Sequence, residues 1–192
     1  LPPALAAPDA LVFCFPGQGS QRPGLAVDLH RDWPVFRATL DRLSEQAVRA
    51  AAPDPRDYLL DAACQDAAFT RTDAIPLVLF CYEYALAAQL LAFGLQPTAL
   101  FGHSLGEYVA AAVSGVLSAV DALALVLARG RAVQALEPGG MLSLHLGAEA
   151  ARAWCTDGIE IALENGPDLT VVAGPVDAPA ALEARLPATV ER

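Results

Sequence analysis

Residues 100–115 read LFGHSLGEYVAAAVSG, in which a serine between two glycines separates a short apolar run from an alanine-rich one. The segment GHSLG fits the pattern Gly-x-Ser-x-Gly, which holds a serine on a sharp turn between a strand and a helix. Such a turn aims the N–H of Leu105 and the positive end of the following helix at an oxyanion above Ser104. The pattern therefore predicts an α/β fold and makes Ser104 a candidate nucleophile.

The sequence on either side of this turn alternates between strand and helix patterns. ALVFCF (10–15) and TALFGHS (98–104) are short apolar runs typical of strands buried on both faces of a parallel sheet. Helices are predicted over 33–51, 74–94 and 118–136. Ser118 is a plausible N-cap for the last of them. This alternation predicts a doubly wound, mostly parallel α/β core over residues 11–136, preceded by a proline-alanine linker over residues 1–10.

The pattern changes after residue 136. Strands are predicted over 141–147, 159–164 and 169–174, and helices over 148–155 and 176–186. The order β-α-β-β-α is that of a ferredoxin-like split βαβ subdomain without its last strand. We therefore expect residues 137–192 to form an incomplete ferredoxin-like α+β subdomain.

Composition limits the classes of function. Hydrophobic residues make up 55% of the 192 residues and charged residues 18%, which predicts a globular protein. The net charge of -10 argues against a nucleic-acid partner. No apolar segment reaches the length of a membrane span without a charge or a turn former, and no signal peptide is recognisable. Four cysteines lack metal-ligand spacing, and three of them lie in apolar runs typical of buried positions. We expect a cytoplasmic protein without a metal site.

Three motifs together resemble one family. FPGQGSQ (15–21), GHSLGEY (102–108) and ARGRAVQ (128–134) are similar, in this order and spacing, to malonyl-CoA:acyl carrier protein transacylases and the acyltransferase domains of polyketide synthases. The resemblance runs from about residue 11 to the end of the chain. It implies an α/β-hydrolase-like core for the larger subdomain. It also implies transfer of a malonyl-type group from coenzyme A to an acyl carrier protein, in polyketide or fatty acid biosynthesis.

The resemblance also implies roles for individual residues. Ser104 would be the acylated nucleophile, and the backbone N–H groups of Gln18 and Leu105 would form the oxyanion hole. Arg129 would bind the free carboxylate of the malonyl group, a task that suits a planar, permanently charged guanidinium. His103 would line the site. No bound cofactor is implied: a coenzyme A thioester is the substrate, the phosphopantetheine of the carrier protein is the acceptor, and neighbouring synthase domains are further partners.

The general base is not evident. His30 reads as a solvated side chain, His103 adjoins the nucleophile and should point away from it, and His145 reads as a half-exposed strand residue. The resemblance places the base in a histidine just after the last strand of the small subdomain, the strand at which this chain stops. We therefore expect the base to be missing from these residues, and the isolated fragment to be impaired.

Two alternatives stay open. A serine esterase or thioesterase of α/β-hydrolase type shares the serine motif but needs an acid and then a histidine after the serine. Only His145 follows Ser104, 41 residues later. A non-catalytic fragment that acts as a scaffold is the other alternative. The choice between malonyl and methylmalonyl or another extender unit is not settled by the sequence.

Overall fold

The computed structural model describes residues 11–65, 69, 73–187 and 190. The chain divides into two compact units, with the boundary between Ala135 and Leu136. The linker predicted over residues 1–10 lies outside the described residues. Each unit is described by itself below.

The first unit alternates strands with helices. Its elements are β1 (Val12–Phe15), α1 (Val27–Asp32), α2 (Pro34–Arg49), α3 (Pro55–Leu59), α4 (Ala74–Ala92), β2 (Ala99–Gly102), α5 (Gly106–Val113) and α6 (Ala119–Gln134). β1 and β2 pair in parallel, with Val12 opposite Ala99 and Phe15 opposite Gly102. The predicted α/β class and the parallel pairing are confirmed. The predicted cap is also present, since the Ser118 side chain accepts a hydrogen bond from the Asp121 N–H at 3.1 Å.

Helix α4 forms the centre of this unit and packs against α2, α3, α5 and α6. It is apolar on nearly all sides, and Leu77, Val78 and Phe80 are fully buried. Among the described helices it alone is long and apolar enough to cross a membrane, with 19 residues and a mean hydropathy of 1.6. Since 61% of that segment is buried within the protein, it has the burial expected of a core helix.

The expectation that β1 and β2 are buried on both faces is wrong. Phe13 and Phe15 are buried, but Val12 is 48% exposed, Phe101 is 61% exposed, and Cys14, predicted to be buried, is also exposed. Successive side chains of a strand point to opposite faces, and the exposed residues share one face. Within the first unit that face is therefore open to solvent at Val12, Cys14 and Phe101.

The second unit contains a small antiparallel sheet. Its elements are β3 (Gly139–Leu144), α7 (Ala148–Arg152), β4 (Glu160–Gly166), β5 (Leu169–Pro175) and α8 (Ala178–Arg185). The strand order is β3-β5-β4, and both pairings are antiparallel, which is the arrangement of a split βαβ with three of its four strands. Leu144, Val172 and Leu182 are fully buried in its core. His145, predicted to lie within the first strand of this unit, is an exposed residue just after it, because the strand ends at Leu144.

Candidate active site

Ser104 occupies a strained turn between β2 and α5. Its φ is 53°, in the left-handed region that costs a residue other than glycine about 1–3 kcal/mol. The turn is held by hydrogen bonds from the Gly106 N–H to the His103 carbonyl at 2.9 Å and from the Glu107 N–H to the Ser104 carbonyl at 3.2 Å. The Ser104 side chain is exposed, and its hydroxyl has no hydrogen-bond partner within the described first unit. This geometry presents the hydroxyl to whatever binds above the turn.

The glycines of the serine motif are required by close contacts. A Cβ on Gly106 would overlap the carbonyl oxygen of Phe15 at the end of β1. A Cβ on Gly102 would overlap the backbone of Gly106 and Glu107 across the turn. Any larger residue at either position would push α5 away from the sheet. The motif therefore packs the start of α5 directly on the end of β1.

The loop after β1 lies against this turn. The His103 N–H donates to the Phe15 carbonyl at 3.0 Å, which joins the ends of the two strands. A Cβ on Gly17 would lie 3.3 Å from His103 Nδ1 and 3.4 Å from Ser104 Cβ. The structure therefore places the loop that carries Gln18 beside Ser104. Gln18 itself is exposed.

Two backbone donors beside the serine have no acceptor. Leu105 precedes the first residue of α5, so its N–H has no partner inside the helix. Its side chain is completely buried, which fixes the position of that peptide group. The Gln18 N–H likewise has no acceptor among the described residues. One free N–H next to the serine and another in the loop beside it are donors of the kind that stabilise a negatively charged oxygen.

The three histidines do not supply a base in the described geometry. His30 Nε2 lies 3.0 Å from Asp41 Oδ1, which ties this imidazole to α2. His103 is exposed, and no hydrogen bond joins it to Ser104. His145 is an exposed turn residue of the second unit.

The two arginines near the end of α6, Arg129 and Arg131, differ in their hydrogen-bond partners. The Arg131 guanidinium donates to the Ala50 carbonyl at 2.7 Å and so connects α6 to the end of α2. Arg129 is half-buried and has no ion pair or hydrogen bond among the described residues. No hydrogen bond joins Arg129 to Ser104 or Gln18. Of the two arginines, Arg129 is therefore the one whose guanidinium has no hydrogen-bond partner among the described residues.

Comparisons with known proteins agree on one family. Residues 12–190 match the family of acyl transferase domains. The chain is 42% identical over 163 residues to the phenolphthiocerol synthesis polyketide synthase type I Pks15/1 of Mycobacterium marinum, covering 83% of this chain and 8% of that protein. It is 38% identical over 189 residues to the orsellinic acid synthase of Emericella nidulans, covering 93% of this chain and 9% of that protein.

Solved structures give the same result. A loading acyltransferase from the avermectin modular polyketide synthase superposes with a TM-score of 0.85 at 32% identity. That match covers 95% of this chain and 60% of the avermectin chain. The acyl transferase domain of SpnD gives a TM-score of 0.82 at 35% identity and covers 97% and 44% of the two chains. This chain therefore belongs to the family of acyl transferase domains found in polyketide synthases.

Proposed function

We propose that Ser104 carries an acyl group as an ester and that the chain transfers malonyl-type groups from coenzyme A to an acyl carrier protein. The observation that carries this proposal is the Ser104 turn, which has a φ of 53° and an exposed hydroxyl. The acceptor-free N–H of Leu105 adjoins it, and the loop that carries Gln18 lies beside it. This arrangement suits nucleophilic attack on a carbonyl, since it provides both the nucleophile and donors for the resulting oxyanion.

The reaction has two balanced halves. In the first, a base removes the Ser104 hydroxyl proton while the oxygen attacks the thioester carbonyl. The oxyanion accepts hydrogen bonds from the N–H groups of Leu105 and Gln18, the carbon–sulfur bond breaks, and the coenzyme A thiolate takes the proton. In the second half, the base takes the proton of the phosphopantetheine thiol while the thiol sulfur attacks the ester carbonyl. The ester carbon–oxygen bond breaks, and the Ser104 oxygen receives the proton, which regenerates the serine. No described histidine forms a hydrogen bond with Ser104, so in this proposal these residues alone acylate slowly at best.

Arg129 is proposed to select acyl groups that carry a carboxylate. A half-buried guanidinium without an internal partner favours an anionic ligand, and the planar guanidinium can bind a carboxylate through two hydrogen bonds. Two solved relatives support a malonyl-type group. One is the SpnD domain, described in complex with 2-(pent-4-yn-1-yl)malonyl. The other is a malonyl CoA-acyl carrier protein transacylase from Coxiella burnetii, which is 26% identical to this chain.

The seryl ester is tested by intact-mass spectrometry of the longer synthase polypeptide that would contain this chain. Incubation with malonyl-CoA should add one malonyl group, and Ser104→Ala should abolish the adduct. Adding pantetheine should discharge the ester much faster than water does, which separates a transferase from an esterase or thioesterase. An adduct of unchanged yield in the Ser104→Ala protein would overturn the assignment of the nucleophile.

The selectivity of Arg129 is tested with malonyl-CoA and acetyl-CoA. Arg129→Ala should lower kcat/KM for malonyl-CoA by about two to three powers of ten, because the bound carboxylate loses its partner, and should leave acetyl-CoA unchanged or improved. Arg131→Ala is the matched control: this residue lies two positions further along the same helix, and its guanidinium donates a hydrogen bond to the Ala50 carbonyl. If Arg129→Ala lowers kcat/KM by the same factor for malonyl-CoA and for acetyl-CoA, Arg129 supports the fold and does not select the carboxylate.

A further inference from the structure

The loop that carries Gln18 is tied to a neighbouring element at each end. This Gln18 loop comprises residues 16–24. It begins after Phe15, whose carbonyl accepts a hydrogen bond at 3.0 Å from the serine turn. At its other end, the Gly24 N–H donates to the carbonyl of Tyr58 in α3 at 2.9 Å. Both ends of the loop are therefore fixed by contacts with other parts of the first unit.

The middle of the Gln18 loop is not fixed by packing. Gly17 and Gly19 flank Gln18, and glycine reaches more backbone conformations than any other residue. Gly19 has a φ of 122°, which residues with a Cβ rarely adopt. A Cβ on Gly19 would meet no atom within 4 Å. Contacts around Gly19 therefore do not select its conformation.

Gln21 makes a hydrogen bond at this position. Its Oε1 accepts from the Gly19 N–H at 2.8 Å. The Gly19 N–H belongs to the peptide plane that follows Gln18, and the Gln18 N–H belongs to the plane that precedes it. The two planes are joined through Gln18 alone, and steric clashes confine the φ and ψ of any residue with a Cβ. Because the bond to Gln21 fixes one plane, it also restricts the direction of the Gln18 N–H.

The same hydrogen bond leaves the donor on Gln18 available. The Gln18 N–H has no acceptor among the described residues, whereas the N–H of Gly19 is occupied by Gln21. The carboxamide of Gln21 is neutral, so it accepts this bond without placing a negative charge near an oxyanion. A carboxylate in the same place would repel the oxyanion.

We propose that Gln21 is a positioning residue, whose carboxamide holds the Gln18 loop in the conformation that offers the Gln18 N–H to an oxyanion on Ser104. The proposal rests on the proposed function and adds a residue that acts through the loop without touching the substrate. The net contribution of one hydrogen bond limits the effect, so its loss should depopulate this conformation by about 3- to 10-fold. Loss of an oxyanion donor itself costs far more, roughly 100- to 1,000-fold in rate.

Hydrogen exchange tests the bond to Gly19 without reference to activity. Gln21→Met keeps the length of the side chain but replaces the carboxamide by a thioether, which is a weak acceptor. In the 192-residue chain it should lower the protection factor of the Gly19 amide by about 3- to 10-fold. Gln21→Glu retains an acceptor oxygen and should keep the protection. Unchanged protection in Gln21→Met would overturn the proposal.

The matched control is Gln96→Met. Gln96 is an exposed glutamine that precedes β2, and the serine turn follows the other end of that strand. The substitution makes the same chemical change on the same unit, away from the Gln18 loop. It should leave both the protection of the Gly19 amide and the rate of acylation unchanged.

The rate of seryl ester formation tests the consequence for the site. Intact-mass spectrometry follows a single turnover of the longer synthase polypeptide with malonyl-CoA. Gln21→Met should lower the rate at saturating malonyl-CoA by about 3- to 10-fold. The half-saturating concentration should not change, because the Gln18 N–H stabilises the oxyanion of the transition state and not the bound thioester. A change in the half-saturating concentration alone would refute the positioning role, as would a loss of rate above about 100-fold.

The two measurements separate this proposal from the proposed function. If the unsubstituted polypeptide forms no ester on Ser104, the proposed function fails, and the exchange of the Gly19 amide still decides whether Gln21 holds the loop. If the ester forms at the same rate in Gln21→Met although the protection of Gly19 falls, the proposed function stands and the positioning role of Gln21 is refuted.

Discussion

Replacing Glu83 by glutamine should change how the stability of the 192-residue chain depends on pH. The Glu83 carboxyl is 6% exposed, and burial raises its pKa from 4.5 to about 8. In the unfolded chain the group ionises near pH 4.5, whereas in the folded chain it keeps its proton until about pH 8. Between these values the folded state binds one proton more, so stability is complete below pH 4.5 and falls as the pH rises to 8.

The size of this effect follows from the two pKa values. One pKa unit corresponds to about 1.36 kcal/mol, so the difference between 4.5 and about 8 amounts to about 5 kcal/mol of unfolding free energy. Above pH 8 no further loss is expected from Glu83. Glutamine is neutral at every pH and has almost the same shape. Glu83→Gln should therefore match the natural chain within about 1 kcal/mol at pH 4.5 and exceed it by about 5 kcal/mol at pH 9.

Urea unfolding followed by tryptophan fluorescence measures the difference. Trp33 belongs to the first unit and contacts Phe93 with ring centroids 5.3 Å apart, so its emission reports that unit. Trp154 belongs to the second unit and is replaced by phenylalanine in every protein compared. Glu107→Gln is the matched control, because Glu107 is an exposed carboxyl of the same unit. Its stability should follow that of the natural chain across the pH range.

The measurement stays between pH 4.5 and pH 9 so that other groups interfere little. Burial raises the pKa of Tyr82 above its usual value near 10, and the carboxyls of Asp32 and Asp54, beside arginines, have lowered pKa values. These groups ionise outside the chosen range, and their contributions cancel when Glu83→Gln is compared with the natural chain. If that difference does not change between pH 4.5 and pH 9, Glu83 is not a buried acid without a partner, and the reasoning fails.

Four further substitutions test local features by urea unfolding. Gly106→Ala should lower the free energy of unfolding by more than about 2 kcal/mol, because the new Cβ overlaps the end of β1. Gly94→Ala is the comparison: Gly94 has a φ of 88° but open space around it, so the loss should be only about 1–2 kcal/mol. Ser118→Ala removes the side-chain cap of α6 and should cost about 1 kcal/mol. Arg131→Ala removes the bond to Ala50 and should cost about 1–2 kcal/mol. A smaller loss of unfolding free energy for Gly106→Ala than for Gly94→Ala would contradict the close contact between Gly106 and the Phe15 carbonyl.

The sequence was sufficient for the local elements of the fold and for the serine turn. Hydrophobic spacing and caps predict α2, α4 and α6 to within two residues at each end, because helix formation depends on neighbours three and four residues apart. The two glycines around Ser104 predict the turn for a similar reason, since the constraint is steric and acts over a few residues. The strands and helices of the second unit occur in the predicted order, β-α-β-β-α.

The tertiary structure decided what depends on distant parts of the chain. An apolar run such as ALVFCF predicts a strand but does not show what covers each of its faces. The run predicts that Val12 and Cys14 are buried, and the structure shows that both are exposed. Two arginines in the same helix read alike in sequence, and only the bond from Arg131 to Ala50, 81 positions earlier, distinguishes them. Glu83 is one acid in an apolar run. Its carboxyl has no hydrogen-bond partner among the described residues, and only the tertiary structure shows this, because a hydrogen bond requires two atoms within about 3 Å whatever their separation along the chain.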